Sequence, residues 1–319
     1  MSLNDDDALA ADRAIIDNPI EGAAPEARSG WRDFCDRYQV TVHPIADRKG
    51  LTIQARKTRI EFDQKSMHWL WLLGFAGWKA WRLHGPHLFW KWLTAQQIDP
   101  ALRSADLSYS EAEANYEALL YAMRDIRDLD NAEDINWPQS SPRPQVDKTG
   151  FDVEDQAAFD LTTIALAYIL LHEARHVRFY VEKERPNPVD EELACDSFAR
   201  DFILGGAAQY AIDTCQSIND VVAKRSAGLA LGAFALYELT PLDCRGGAST
   251  YPPIADRLDL IYEAVILPPE SWFWDFAASL LVALIVRDDQ KFVIPDLAGR
   301  DLCSALIDWL RTRNQNAIA

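Results

Sequence analysis

The sequence predicts an α+β protein, mostly α-helical, with a small antiparallel sheet near its N-terminal end. Three observations carry this. Apolar residues recur at helical spacing through most of the chain beyond residue 150. Alternation of apolar and polar residues is confined to residues 37–63. Pro, Gly and Ser cluster at only a few points, such as 136–148 and 241–250, so they punctuate long periodic segments.

Taken in order, residues 1–30 read as a polar arm, expected to be mobile. Residues 39–43 and 51–55 alternate and flank a turn at Arg48-Lys49-Gly50. A third strand near 58–62 completes the antiparallel sheet. Residues 69–92 hold six of the eleven tryptophans at helix-like spacing. They read as a pair of core helices, with His68, His84 and His87 in or beside them, in preference to an exposed groove for a peptide or helper protein. Residues 108–130 form a charged amphipathic helix with Ser108 or Ser110 as its N-cap. Residues 136–148 read as a linker or substrate loop.

From there the pattern is almost wholly helical. A long apolar helix opens at Asp152 or Asp155 and ends before Pro186. A second follows Pro188, where proline in a first turn forfeits no hydrogen bond, and ends near Gly205-Gly206. Further helices are expected at 219–239, 253–267, 271–287 and 300–313. The expected organisation is thus an arm (1–30), an α+β region with the Trp-rich helices (31–150) and a helical region (151–319).

The 319 residues suffice for one large core or two smaller ones, and 49% hydrophobic with 25% charged residues suits a soluble globular protein. The net charge of −17 argues against partners such as nucleic acid or an anionic membrane, both of which call for a basic surface. The five cysteines are scattered and form no CxxC pair, which fits a reducing, cytoplasmic setting. No secretory signal is expected from the acidic start of the chain. The apolar runs at 69–78 and 272–286 fall short of the ~20 residues of a membrane span.

The chemistry is concentrated at the end of the first long helix, where Leu170-Leu171-His172-Glu173-Ala174-Arg175-His176 contains His-Glu-x-x-His. Residues four apart share a helix face, so His172 and His176 can hold one ion, Zn2+ by the chemistry of the motif. Glu173 lies off that axis, where it can serve as general base for a water at the ion. On the next helix, Glu192 and Asp196 are again four apart. Glu192 is the expected third metal ligand, with Glu191 competing because its register differs by one. Asp196 is expected to accept from the outer nitrogen of a ligand imidazole. The bland reading of this segment is a solvated acidic face. Cys195, on the same helix, is read as a buried small hydrophobe, although register alone does not exclude it as a ligand.

This pattern, HExxH followed by ExxxD on the next helix, resembles the gluzincin class of zinc metallopeptidases. Glu192-x-x-x-Asp196-x-Phe198-Ala199 is similar to the corresponding run in HtpX-like and ImmA-like peptidases. It resembles most the small bacterial group of Lit-like phage-exclusion peptidases. Ser249-Thr250-Tyr251-Pro252-Pro253, followed by Arg257, resembles a further element of these families. There Tyr251 stands where relatives often carry a histidine that stabilises the oxyanion. A tyrosine hydroxyl can also donate to an oxyanion. Arg175 stands where the family residue is usually small, and is expected to turn toward solvent or an acidic partner. Arg257 is expected to pair with a carboxylate. The resemblance spans roughly residues 155–262. It implies a zincin-like catalytic domain, a protein or peptide substrate in the cytoplasm, a role in phage exclusion or a stress response, and latency relieved by an activating peptide. The alternative is a non-catalytic zincin-like regulator; the intact Glu173 opposes it, since a purely structural site needs no base.

Overall fold

The computed structural model describes residues 5–94, 107–145 and 147–316. The order is α1 (Asp5–Ala23), α2 (Arg28–Tyr38), β1 (Thr41–Ile45), β2 (Ile53–Arg56), β3 (Arg59–Asp63) and α3 (Gln64–Thr94). Then follow α4 (Leu107–Asp128), α5 (Val153–Glu182), α6 (Pro188–Gly205), α7 (Ala207–Thr214) and α8 (Ile218–Leu239). The chain closes with α9 (Ile254–Glu263), α10 (Trp272–Asp288) and α11 (Gly299–Asn316). The α+β, mainly helical class is as the sequence predicts.

Three expectations are corrected. The stretch read as a mobile polar arm carries α1, because Ile16, Ile20 and Ala23 fall on one helix face and are buried, and α1 packs along α5. The sheet is mixed rather than antiparallel. Its order is β1-β3-β2, with β1 parallel to β3 (Thr41 opposite Arg59) and β2 antiparallel to it. The tight hairpin joins β2 to β3 through Lys57, whose φ is 61°. The Gly50 segment is instead a loop, its Gly50 N–H bonded to the Arg127 carbonyl 2.9 Å away. Alternation reveals which faces a strand has but not which strand lies beside it. Finally, the tryptophans sit on one helix. Pro86 lies inside α3 without ending it, because α4, α5 and α10 pack along α3. Trp69, Trp71, Trp78 and Trp81 join the core, as read, while Trp90 is exposed.

α5 is the axis of the molecule. Asp152 caps it, its carboxylate accepting from Asp155 N–H at 2.8 Å, and Lys183 ends it in the left-handed region. It is long and apolar enough to cross a membrane on composition alone, but α1, α3, α6, α8 and the edge of the sheet pack around it. Two helices approach it through glycines. A Cβ on Gly74 of α3 would lie 1.8 Å from Thr162 Oγ1, and one on Gly228 of α8 would lie 2.4 Å from Ile164. The main core cluster runs from Ile16 and Trp31 through Ile60 and Trp69 to Leu310, so regions 31–150 and 151–319 share it. Two placements then shape the site: β2 lies against α5, and α9 packs on α6.

Candidate metal centre and cleft

α5 and α6 lie side by side, and their polar residues meet where α5 passes under β2. Asn187 caps α6, accepting from Asp190 N–H at 3.0 Å, and Pro188 occupies the first turn. This fixes the register that turns Glu192 and Asp196 toward α5. His172 Nε2 and His176 Nε2 are 3.3 Å apart. Glu192 Oε2 lies 3.4 Å from the first and Glu192 Oε1 lies 3.5 Å from the second. Ligand atoms held about 2.0–2.2 Å from one tetrahedral zinc are separated by about 3.3–3.5 Å. Each imidazole thus meets a different oxygen of the Glu192 carboxylate at the spacing of neighbouring ligands, and two imidazoles with a carboxylate are donors that fit a zinc ion.

The outer nitrogens are tied. His172 Nδ1 lies 2.9 Å from Asp196 Oδ1, and His176 Nδ1 lies 2.8 Å from Glu191 Oε1. Glu191, weighed in sequence as a rival ligand, faces the back of His176 rather than the convergence point. Asp196 is fully buried and also accepts from Tyr168 OH at 2.7 Å, Arg257 Nε at 2.6 Å and Arg257 Nη2 at 2.8 Å. Arg257 comes from α9, and its Nη2 lies 3.5 Å from Glu192. Cys195 Sγ falls within 4.8 Å of the two imidazoles. In the metal-free protein, burial first and then the surrounding carboxylates push its thiol pKa far up.

Electrostatics follow from burial and from these bonds. Burial alone would lower the His172 pKa, but its bonds to Asp196 and Glu192 outweigh that and push it up to about 9. The same competition raises His176. For Glu192, burial works against ionisation, yet the two histidines hold the carboxyl far below its usual range. Glu173 moves the other way. Its withdrawal from water raises its pKa, with the nearby histidines opposing. Its Oε2 accepts from Ala55 N–H at 2.6 Å, so the outer edge of β2 lies directly over the base.

These residues line a cavity of about 650 Å³. β2 and the Lys57 turn form one wall, and Ile169, Phe179, Leu236 and Pro241 contribute apolar surface. Tyr251 lines it too, exposed, at a turn closed by Ala248 N–H to Tyr251 O at 2.9 Å. Arg175 turns away, stacked 4.1 Å over Phe179 with Glu184 at 3.8 Å. Of the residues singled out in sequence, His172, Glu173, His176, Glu192, Tyr251 and Arg257 all border this cavity, with Asp196 behind it. Sequence reading missed Ala55, Tyr168 and the position of Glu191. Ala55 acts through its backbone N–H, which leaves no trace in side-chain pattern. Tyr168 lay in view four residues before His172, one turn back on the same face.

A helical scaffold that gathers two imidazoles, a carboxylate and a separately poised glutamate in a cleft under a strand edge has the parts of a hydrolase. The chain matches the family Peptidase U49 over residues 60–277 and belongs to it. That family is Lit-like, as the sequence resemblance implied, and makes the chain a peptidase by kinship. No curated protein and no solved structure matches the chain.

Proposed function

We propose that the chain is a zinc-dependent endopeptidase of gluzincin type, with His172, His176 and Glu192 as ligands and Glu173 as general base. The observation that supports this most is that the two Nε2 atoms, 3.3 Å apart, both face the Glu192 carboxylate, with one of its oxygens 3.4 Å from His172 and the other 3.5 Å from His176. When bound, zinc would polarise a peptide carbonyl and render a coordinated water acidic. Glu173 would take a proton on its carboxylate and return it to the leaving amine. Tyr251 would donate its hydroxyl to the developing oxyanion. Asp196 and Glu191, each bonded to an outer imidazole nitrogen, would hold both rings with Nε2 facing the ion, and Arg257 would position Asp196 and Glu192.

The free edge of β2 would bind the substrate main chain. Ala55 N–H points away from β3, so by alternation the N–H and C=O of Ile53 do as well. An extended peptide laid there would cross Glu173. The reading extends to an intracellular protein as substrate, in phage exclusion or a stress response, with an activating peptide. All five cysteines are unpaired, which supports a reducing compartment.

Elemental analysis tests the core of this reading. About one zinc per chain is expected in the native protein and in Glu173→Gln, and none in His176→Ala. Glu173→Gln should also abolish Glu173-dependent peptide cleavage. No zinc after equilibration with the metal would sink the reading.

A further inference from the structure

The charges around the cleft do not follow those of the chain. The protein carries 49 acidic and 32 basic residues, so an unpaired cation is the exception to be explained. The β2–β3 hairpin nevertheless presents Arg56, Lys57 and Arg59 at its tip, all exposed. None of the three has a carboxylate within ion-pair distance among the described residues. Arg185, on the loop between α5 and α6, is exposed as well, and the bond it makes is to the Glu184 carbonyl at 3.3 Å. Lys57 and Arg185 both line the cavity that holds His172, Glu173 and His176.

The carboxylates lining that cavity are engaged elsewhere. Glu173 accepts from Ala55 N–H, Glu191 binds His176, and Glu192 sits between the two imidazoles and Arg257. Nearby Glu184 pairs with Arg175. Two cations therefore line the cleft with no carboxylate of the described residues within ion-pair distance. Lys57 lies two residues beyond Ala55, in the turn that ends β2, so its Cα is within roughly 7 Å of the residue whose N–H meets Glu173. A peptide paired along β2 would leave the strand past the Lys57 turn, about two residues from the bond beside Glu173.

We infer that Lys57 and Arg185 are specificity-determining residues, and that the cleft selects peptides carrying Asp or Glu about two residues from the scissile bond. This rests on the peptidase reading of the same site. Long-range repulsion from the net negative protein would disfavour acidic peptides generally, so the selection is local and short-ranged.

The test uses the full chain as Glu173→Gln, which binds without turnover. Two short fluorescein-labelled peptides are compared by fluorescence anisotropy: an apolar centre flanked by Asp and Glu, and a twin with Lys at those positions. The acidic peptide should bind about tenfold more tightly, and the margin should shrink with added salt. Adding Lys57→Glu and Arg185→Glu should reverse the order with metal content unchanged. Equal affinities, no binding of either peptide, or a preference indifferent to the two substitutions would overturn the inference. If the preference holds but the protein takes up no zinc after equilibration with the metal, the charge selection stands and the zinc-peptidase reading falls. Glu173-dependent cleavage without charge preference gives the reverse.

Discussion

Removing the Asp196 carboxylate exposes what holds the centre together. Asp196 and Arg257 are both buried, and Asp196 accepts two bonds from that guanidinium, one from Tyr168 and one at His172. In Asp196→Ala the guanidinium stays in the interior without its principal counter-charge, a loss of about 3–5 kcal/mol for a buried pair broken on one side. Glu192, 3.5 Å from Arg257 Nη2, still offers partial compensation, which favours the lower end. The orphaned Tyr168 hydroxyl adds about 1–3 kcal/mol. The expected destabilisation is therefore about 4–6 kcal/mol, read as a lowered urea midpoint by tryptophan fluorescence and circular dichroism on metal-free protein. Metal affinity should fall about 10–100-fold, because His172 loses the partner that fixes its ring. The decisive control is Asp196→Ala with Arg257→Met. Removing both charges should recover much of the lost stability but not the metal affinity. A single variant as stable as the native chain, or a double variant no better than the single, would refute the argument.

Three further outcomes are expected. Proton and metal compete for His172 Nε2, whose pKa stands at about 9 in the metal-free protein. Metal affinity measured by calorimetry should thus fall about tenfold per pH unit below that value, and pH-independent affinity would contradict it. By the same raised pKa, the contribution of His172 to metal-free stability is fully present below its ordinary value of 6.5 and is lost as pH rises through about 9. Glu192→Gln should abolish stoichiometric metal binding while Cys195→Ala retains it, and the cobalt-substituted native protein should lack a thiolate charge-transfer band; the opposite pattern would make Cys195 the ligand. Gly74→Val should lower the urea midpoint by the equivalent of at least 1–3 kcal/mol, since even a Cβ there meets Thr162 at 1.8 Å.

Much of the candidate site was legible because helical spacing is a local property. The four-residue steps from His172 to His176 and from Glu192 to Asp196 fix two faces before any tertiary contact forms. Arg257, expected to pair with a carboxylate, pairs with Asp196. The single-residue choice between Glu191 and Glu192 was not legible. Both residues lie near the start of α6, and only its packing against α5 decides that one meets the outer nitrogen of His176 and the other the inner nitrogens. The pairing partners of the strands were hidden for a similar reason. Alternation in 39–43 and 51–55 is satisfied equally by an antiparallel ladder or by the parallel β1–β3 pairing found here. The polar start of the chain concealed α1, whose few buried residues, Ile16, Ile20 and Ala23, gain their meaning from α5.

The sequence by itself determined the helical class, the order of most helices beyond residue 150, and the spacing that puts His172 with His176 and Glu192 with Asp196 on single helix faces. These depend on periodicity and side-chain chemistry, which are written residue by residue. Tertiary structure decided that β2 would cross above Glu173, that Glu192 rather than its neighbour would converge on the two imidazoles, and that Lys57 and Arg185 would face one cleft. Those placements arise from burying α5 on all sides at once. Once that helix is enclosed by its neighbours, the strand edge and the α6 register have little freedom left.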